Sequence, residues 1–479
     1  MSFRAAAIRS VAWNAGGNVS RQLLQVGTLL VMARLLSPSE FGLYAIVMIF
    51  VSFFQVLGSL GTAQVVVHLD ELGQTVLATV FWLSIATNAV IAVLLFVGAW
   101  PLAWFFEQES LRPVLQLMSA AFIIGGLIFV QKALLEREMQ FRRLATIETL
   151  SFGIGAAAGI VAALRGAGVF SLVVMTLVND TVLALGLWAT SRWRPTFEFS
   201  AKELSRILAY TSSLTGFNII NLFARQADTF LIGKFLGSTM LGVYDIGYRI
   251  MLYPLDSVSR VAVRVAFPIF SRLKAENIRF KNGYVKTIRL ISMISFPVMA
   301  GLWAVSDSLI IVTLGDQWVR LPPLLRILAP VGAIQSIVTT LGVIYTAKGS
   351  TGKMLRIGSV NAIVSVASFL IGLPFGIEGV ARSYAVANVV MLYPNLRYAW
   401  TQIGLGVGEG MRSLWSATWA SVVMAASVYW LGIELVGWGW RPEVALLCQV
   451  VTGVVVYGAI ALATFRDLIV SVASGLRER

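Results

Sequence analysis

The sequence predicts an all-α, polytopic membrane protein of about 14 transmembrane helices. Two repeat-related six-helix lobes are expected around a central cavity, with two further helices after them. Three observations carry this expectation. Hydrophobic residues fill 58% of the 479 positions and charged residues 13%, whereas a soluble domain carries about 25% charged residues. So few charges cannot cover the three or so water-soluble domains that this length would otherwise suggest. Stretches free of Asp, Glu, Lys and Arg run over 41–69, 72–106, 113–131, 327–347, 357–377, 413–433 and 444–465. Each is near or above the ~18–20 apolar residues that cross a bilayer as a helix. The third observation is a self-similarity at an offset of 200 residues, taken up below.

In chain order, the first span is expected at 11–34 and is unusually polar, with Asn14, Asn18 and Arg21. Met1–Ser10 leads into this polar segment instead of the continuous apolar core of a cleaved signal, so the first helix is expected to be retained. Spans 2 and 3, at 42–66 and 75–100, contain no acidic or basic residue, and span 4 follows at 113–134. Span 5, at 144–164, carries Gly153, Gly155 and Gly159, which permit close packing. Span 6, at 168–191, holds one carboxylate, Asp180. Charges interrupt spans 7, 8 and 12, at 207–236, 241–268 and 379–400. Spans 9, 10, 11, 13 and 14 complete the series at 287–312, 322–346, 355–375, 412–433 and 443–465.

The formal charge of +14 would suggest nucleic acid in a soluble protein. Its distribution along this map gives another origin. Arg34, Arg112, Arg165, Lys234, Arg320, Arg326, Arg382 and Arg441 are the eight basic residues of the odd-numbered loops. The even-numbered loops, the helix ends beside them and the termini hold 26 of the 37. This is the positive-inside bias, and it places both termini in the cytoplasm. The most basic stretch, Arg260–Arg289, has eight Lys/Arg against the single acid Glu276 and is expected on the anionic inner leaflet.

Several chemistries drop out. Cys448 is the only cysteine and His68 the only histidine, so no internal disulfide, cysteine-based metal site or histidine cluster can form. Gly349-Ser350-Thr351-Gly352-Lys353 lacks both the glycine spacing and the preceding strand of a phosphate loop. No loop is long enough for a soluble catalytic domain, so neither a cofactor nor an enzyme activity is expected.

The repeat aligns Ala33-Arg34-Leu35-Leu36-Ser37-Pro38-Ser39-Glu40-Phe41-Gly42-Leu43-Tyr44 with Gly233-Lys234-Phe235-Leu236-Gly237-Ser238-Thr239-Met240-Leu241-Gly242-Val243-Tyr244. Six helices separate equivalent points, an even number, so the halves share one orientation about an axis along the membrane normal. The lobes are expected at 1–195 and 200–405, with 406–479 as an appendage. The same offset relates two polar faces. At 100° per residue, Asn14, Asn18, Arg21, Gln25 and Thr28 share one side of span 1. Asn218, Asn221, Arg225 and Thr229 share one side of span 7, with Asp228 at its edge.

An arginine near the bilayer centre costs roughly 2.5–3.5 kcal/mol, so such faces must meet protein or a hydrated cavity. Interhelical polar glue is the competing reading. In span 8, Arg249 and Asp245 sit one turn apart and can neutralise each other. Guanidinium groups at low dielectric bind phosphate or carboxylate strongly. Arg21, Arg225 and Arg249 are therefore the candidate anion ligands. Asn14, Asn18, Gln25, Asn218 and Asn221 are the candidate polar lining, and Asp180, Asp228 and Asp245 are candidates for coupling to a proton or sodium gradient. Arg34 and Lys234 stand at equivalent helix ends, where snorkelling and gating both fit.

Ala33–Tyr44, Ala227–Gly237 with Leu241-Gly242-Val243-Tyr244, and Gln131–Arg137 resemble the Wzx-type polysaccharide flippases of the multidrug/oligosaccharidyl-lipid/polysaccharide exporter superfamily, and most closely their colanic-acid and lipopolysaccharide branch. The resemblance implies an inner-membrane transporter that flips undecaprenyl-pyrophosphate-linked oligosaccharide by alternating access for exopolysaccharide or lipopolysaccharide synthesis. Polysaccharide polymerase and chain-length proteins are the partners it implies. Lipid II flippases and ion-coupled multidrug exporters share the implied fold. The arginine of span 1 would repel cationic drugs, and a membrane polymerase would need a longer external loop.

Overall fold

A computed structural model describes residues 21–59, 73–201, 204, 223, 225–274 and 276–464. Asn14, Asn18, Asn218 and Asn221 lie outside the described residues. Among those described, secondary structure is helical throughout, with no strand. Among the described residues, ten stretches are long and apolar enough to cross a membrane, and helix also occupies the described part of each expected span. This is a multi-pass membrane protein. Two compact units divide between Gly242 and Val243.

The first unit comprises α1 (21–35), α2 (Pro38–Ser59), α3 (Gln74–Phe106), α4 (Leu111–Met118), α5 (Ala120–Arg137), α6 (Phe141–Leu164), α7 (Phe170–Thr190), α8 (225–235) and the first turns of α9 (Gly237–Arg272). The start of α2 shows why the repeated segment has its composition. Pro38 opens the helix, where its missing N–H costs nothing. The Ser37 amide and hydroxyl donate to Glu40 Oε2 at 2.6 and 2.9 Å, and the Glu40 amide returns a long bond to Ser37 Oγ at 3.4 Å. This reciprocal capping satisfies donors that a helix start leaves open.

Four residues on, Gly42 meets its repeat partner. A Cβ on Gly42 would overlap the Ser238 carbonyl oxygen, and one on Gly242 would overlap the Pro38 carbonyl oxygen. Ser39 and Ser238 hydroxyls share a hydrogen bond of 3.1 Å beside them. The crossing is reciprocal under the 200-residue offset, so the two starts are equivalent in space as well as in sequence.

Elsewhere in this unit α3 packs on α5 and α6 on α7. Gly155 and Gly159 bring α6 against the α7 backbone and Met175, where a Cβ would sit 2.7 Å from Met175 O and Met175 Cβ respectively. On α3, Leu77, Phe81, Ser84, Asn88, Ile91, Leu95 and Ala99 form a buried stripe at helical spacing. The opposite face, with Val90, Val93, Val97, Trp100 and Trp104, is exposed. An exposed face that is equally apolar belongs in acyl chains.

The second unit holds the rest of α9, then α10 (Asn277–Ala304), α11 (Ser306–Thr313), α12 (Leu321–Val338), α13 (Leu341–Ala347), α14 (Thr351–Gly372), α15 (Gly376–Trp400), α16 (Val407–Gly437) and α17 (Pro442–Thr464). Helix α10 packs on α12 and α16, α14 on α15, and α16 on α17. The Tyr284 hydroxyl anchors this core, bonded to the Thr340 hydroxyl at 2.7 Å and accepting from Trp400 Nε1 at 3.3 Å. Spans 9 and 10 are each broken in two, after Ala304 and after Val338. Most of the basic stretch Arg260–Arg289 is helical, forming the end of α9 and the first turns of α10.

Candidate functional site in the first unit

Arg21, the first described residue of α1, points its guanidinium at a charge that the sequence reading did not connect with it. Its Nη1 donates to Glu148 Oε2 on α6 at 2.8 Å. The other carboxylate oxygen accepts from Lys132 Nζ on α5 at 2.7 Å. One carboxylate thus bridges two cations from two other helices, leaving the trio with one surplus positive charge. The Glu148 side chain is 18% exposed, and those of Arg21 and Lys132 are each 38% exposed. The cluster is therefore accessible, yet shielded enough for charge-assisted bonds to count. Arg21 Nε is buried and has no hydrogen-bond partner, so the guanidinium retains an unused donor. On the same face of α1, Gln25 is half-buried. Thr28 is buried and spends its hydroxyl on Leu24 O at 2.7 Å.

Charges inside membrane spans should be paired across helices as well as along them, and that signal pointed to Glu148 and Lys132. Pairing one turn apart along a single helix cannot reach them. Where that rule applies, the outcome is mixed. Arg249 Nε donates to Asp245 Oδ2 at 2.7 Å in the second unit, so its charge is largely spent there. Arg225 is exposed on α8 and makes no ion pair with Asp228. Asp228 is buried, and its Oδ1 accepts from the Thr229 amide at 2.7 Å and more weakly from its hydroxyl at 3.3 Å. Asp180, half-buried on α7, accepts from Asn179 Nδ2 at 2.9 Å.

The equivalent helix ends differ. Arg34 is exposed at the end of α1. Lys234, at the end of α8, donates to Glu107 Oε1 at 2.8 Å and to Phe105 O at 2.6 Å, with its ammonium 4.9 Å from the Phe105 ring centre. The hydrogen bond and then the charge of Lys234 hold the Glu107 carboxyl below its ordinary range. Glu107 itself sits in the left-handed region at φ 56°. Lys234 therefore clips α8 to the end of α3.

A family profile described as polysaccharide biosynthesis protein matches residues 31–323, more than half of the chain and all of the repeated crossing. The chain belongs to the polysaccharide biosynthesis protein family. Within that family's range of relatives, it is 24% identical over 450 residues to the lipopolysaccharide biosynthesis protein WzxC of Escherichia coli (strain K12), covering 91% of this chain and 90% of that protein. It is 31% identical over 324 residues to the succinoglycan biosynthesis transport protein ExoT of Rhizobium meliloti (strain 1021), covering 67% and 65%. The fold superposes on lipid II flippase MurJ in an inward closed conformation with a TM-score of 0.76, at 15% identity, over 96% of this chain and 100% of that one. Of these, ExoT is named a transport protein and MurJ a flippase.

Proposed function

We propose that this polysaccharide biosynthesis protein is a flippase that carries a lipid-linked oligosaccharide across the bacterial inner membrane, with Arg21 and Lys132 receiving its phosphate. The observation that carries the reading is the shared carboxylate of Glu148. Two cations on one anion leave a net positive site, and an incoming pyrophosphate can offer the oxygens that Glu148 now supplies. Guanidinium and phosphate pair bidentately, and exchanging one anion for another keeps the charges compensated throughout, which limits the cost of desolvation. Exposed, and in no ion pair among the described residues, Arg225 is the next cation available. Arg249, already paired with Asp245, is the weakest of the three.

The family, its named transport relatives and the flippase fold support a substrate of this class. Undecaprenyl pyrophosphate as carrier, alternating access, both termini in the cytoplasm, and contact with a polymerase and chain-length machinery extend the reading. Asp180, Asp228 and Asp245 are the carboxylates available for coupling to a proton or sodium gradient. Deleting the gene and re-expressing it with Arg21→Gln or Lys132→Gln tests the proposal. Surface polymer should fall at least tenfold for Arg21→Gln, with protein in the membrane at wild-type level. Full export by both variants overturns the assignment. Rescue of a strain depleted of its lipid II flippase, without any effect on polymer, would redirect it to peptidoglycan precursors.

A further inference from the structure

The second unit contains a pocket of about 230 Å³ between α12, α14 and α15. Gln335, Asn361, Ser365, Tyr384, Asn388 and Asn395 line it, and among the described residues no Asp, Glu, Lys or Arg does. Helix α12 ends here, three residues beyond Gln335, and broken helices in membrane proteins line sites more often than lipid.

Polar side chains inside a bilayer can serve as glue between helices, in which case they close on one another. Asn361 and Asn395 do so, exchanging amide bonds of 2.8 and 3.1 Å. Others around the void are only half engaged. Gln335 Nε2 donates to the Tyr384 hydroxyl at 2.6 Å, and Asn388 Nδ2 donates to Tyr384 O at 2.9 Å. Among the described residues, nothing donates to either amide oxygen or to the Ser365 hydroxyl.

The volume is several times the ~30 Å³ that one water occupies, yet below the roughly 300 Å³ at which pockets for drug-sized ligands begin. It matches a single ring. With no cation to neutralise an anion and no carboxylate to hold a divalent metal among the described lining residues, the fitting ligand is neutral and rich in groups that both donate and accept. Amides and hydroxyls pair with sugar hydroxyls in that way.

We propose that this pocket is a carbohydrate subsite that takes one uncharged sugar ring of the transported oligosaccharide. The proposal rests on the flippase reading for its choice of ligand, but its residues are separate from the cationic trio. A site built to hydrogen-bond hydroxyls discriminates strongly against a ring that lacks one. Specificity for the repeat unit would then reside here, and affinity for the carrier at Arg21 and Lys132.

The test uses the full chain in lipid nanodiscs and a phosphate-free oligosaccharide, cut from the polymer whose export depends on this gene. Wild type should bind it, and Asn388→Leu and Ser365→Ala should each weaken binding at least tenfold. Arg21→Gln should bind as wild type does. Ser365→Ala removes one hydroxyl and leaves the helices intact if Asn388→Leu fails to fold. Equal binding by wild type and Ser365→Ala, or no binding by wild type, overturns the subsite. So does a sodium-dependent rise in melting temperature that Asn388→Leu abolishes while sugar has no effect. If sugar binding follows the pocket variants while Arg21→Gln exports normally, the subsite stands and the phosphate assignment falls.

Discussion

Replacing Glu148 by glutamine would leave Arg21 and Lys132 with two positive charges and nothing between them. The trio is half-exposed, so the penalty lies between that of a surface pair and that of a buried one, about 1–3 kcal/mol. Glu148→Gln should lower the melting temperature and reduce export. The double variant Arg21→Gln with Glu148→Gln restores the net charge and should recover most of the melting temperature without recovering export. If export returned with stability, the trio would be scaffolding alone. Arg21 was legible because a charge inside an otherwise helical, membrane-length segment is conspicuous. Its partners were not, because Glu148 lies 127 residues away and helical periodicity reports only neighbours on the same helix. For the same reason, the Asp245–Arg249 pair could be read from the sequence, whereas the clip between Lys234 and Glu107 could not.

Among the described residues, helix extents follow the sequence closely, since an apolar run bounded by charges has few other ways to satisfy its backbone in lipid. Orientation about each helix axis was less accessible. On α3, Leu95 is buried and Val97 exposed, yet both are aliphatic, so no polar face marks the outside. The breaks after Met118, Ala304 and Val338 carry no distinctive residue and were missed, as was the pocket beside the last of them. The Gly-x-Tyr repeat was legible as a pattern, and its physical reason is the reciprocal crossing of α2 and α9. Gly42→Ala and Gly242→Ala each place a methyl group on a backbone carbonyl that cannot rotate away. Each should cost toward the upper end of the roughly 1–3 kcal/mol typical of overpacking, read as a fall in melting temperature. Gly98→Ala, with nothing within 4 Å, should be neutral or slightly stabilising because alanine favours helix. Equal tolerance at all three positions would mean that the crossing is not close-packed.

At the scale of the whole chain, charge placement constrains orientation more than any single contact does. Fixing the chain the other way round would put most of its 37 Lys/Arg on the external side, against the bias that governs insertion. The loop before α4 and the start of α10 should therefore face opposite sides, because an odd number of the expected spans separates them. Glu109 lies in that loop, and Ile278 begins α10 with 77% of its surface exposed. In a chain with Cys448 replaced by serine, single cysteines at these two positions report orientation without disturbing the cationic trio. An impermeant maleimide applied to intact cells should label position 109 and reach 278 only after permeabilisation. The reverse pattern would put the basic helix ends outside. It would also remove the cytoplasmic approach that the proposed loading of Arg21 and Lys132 by a lipid-linked sugar requires.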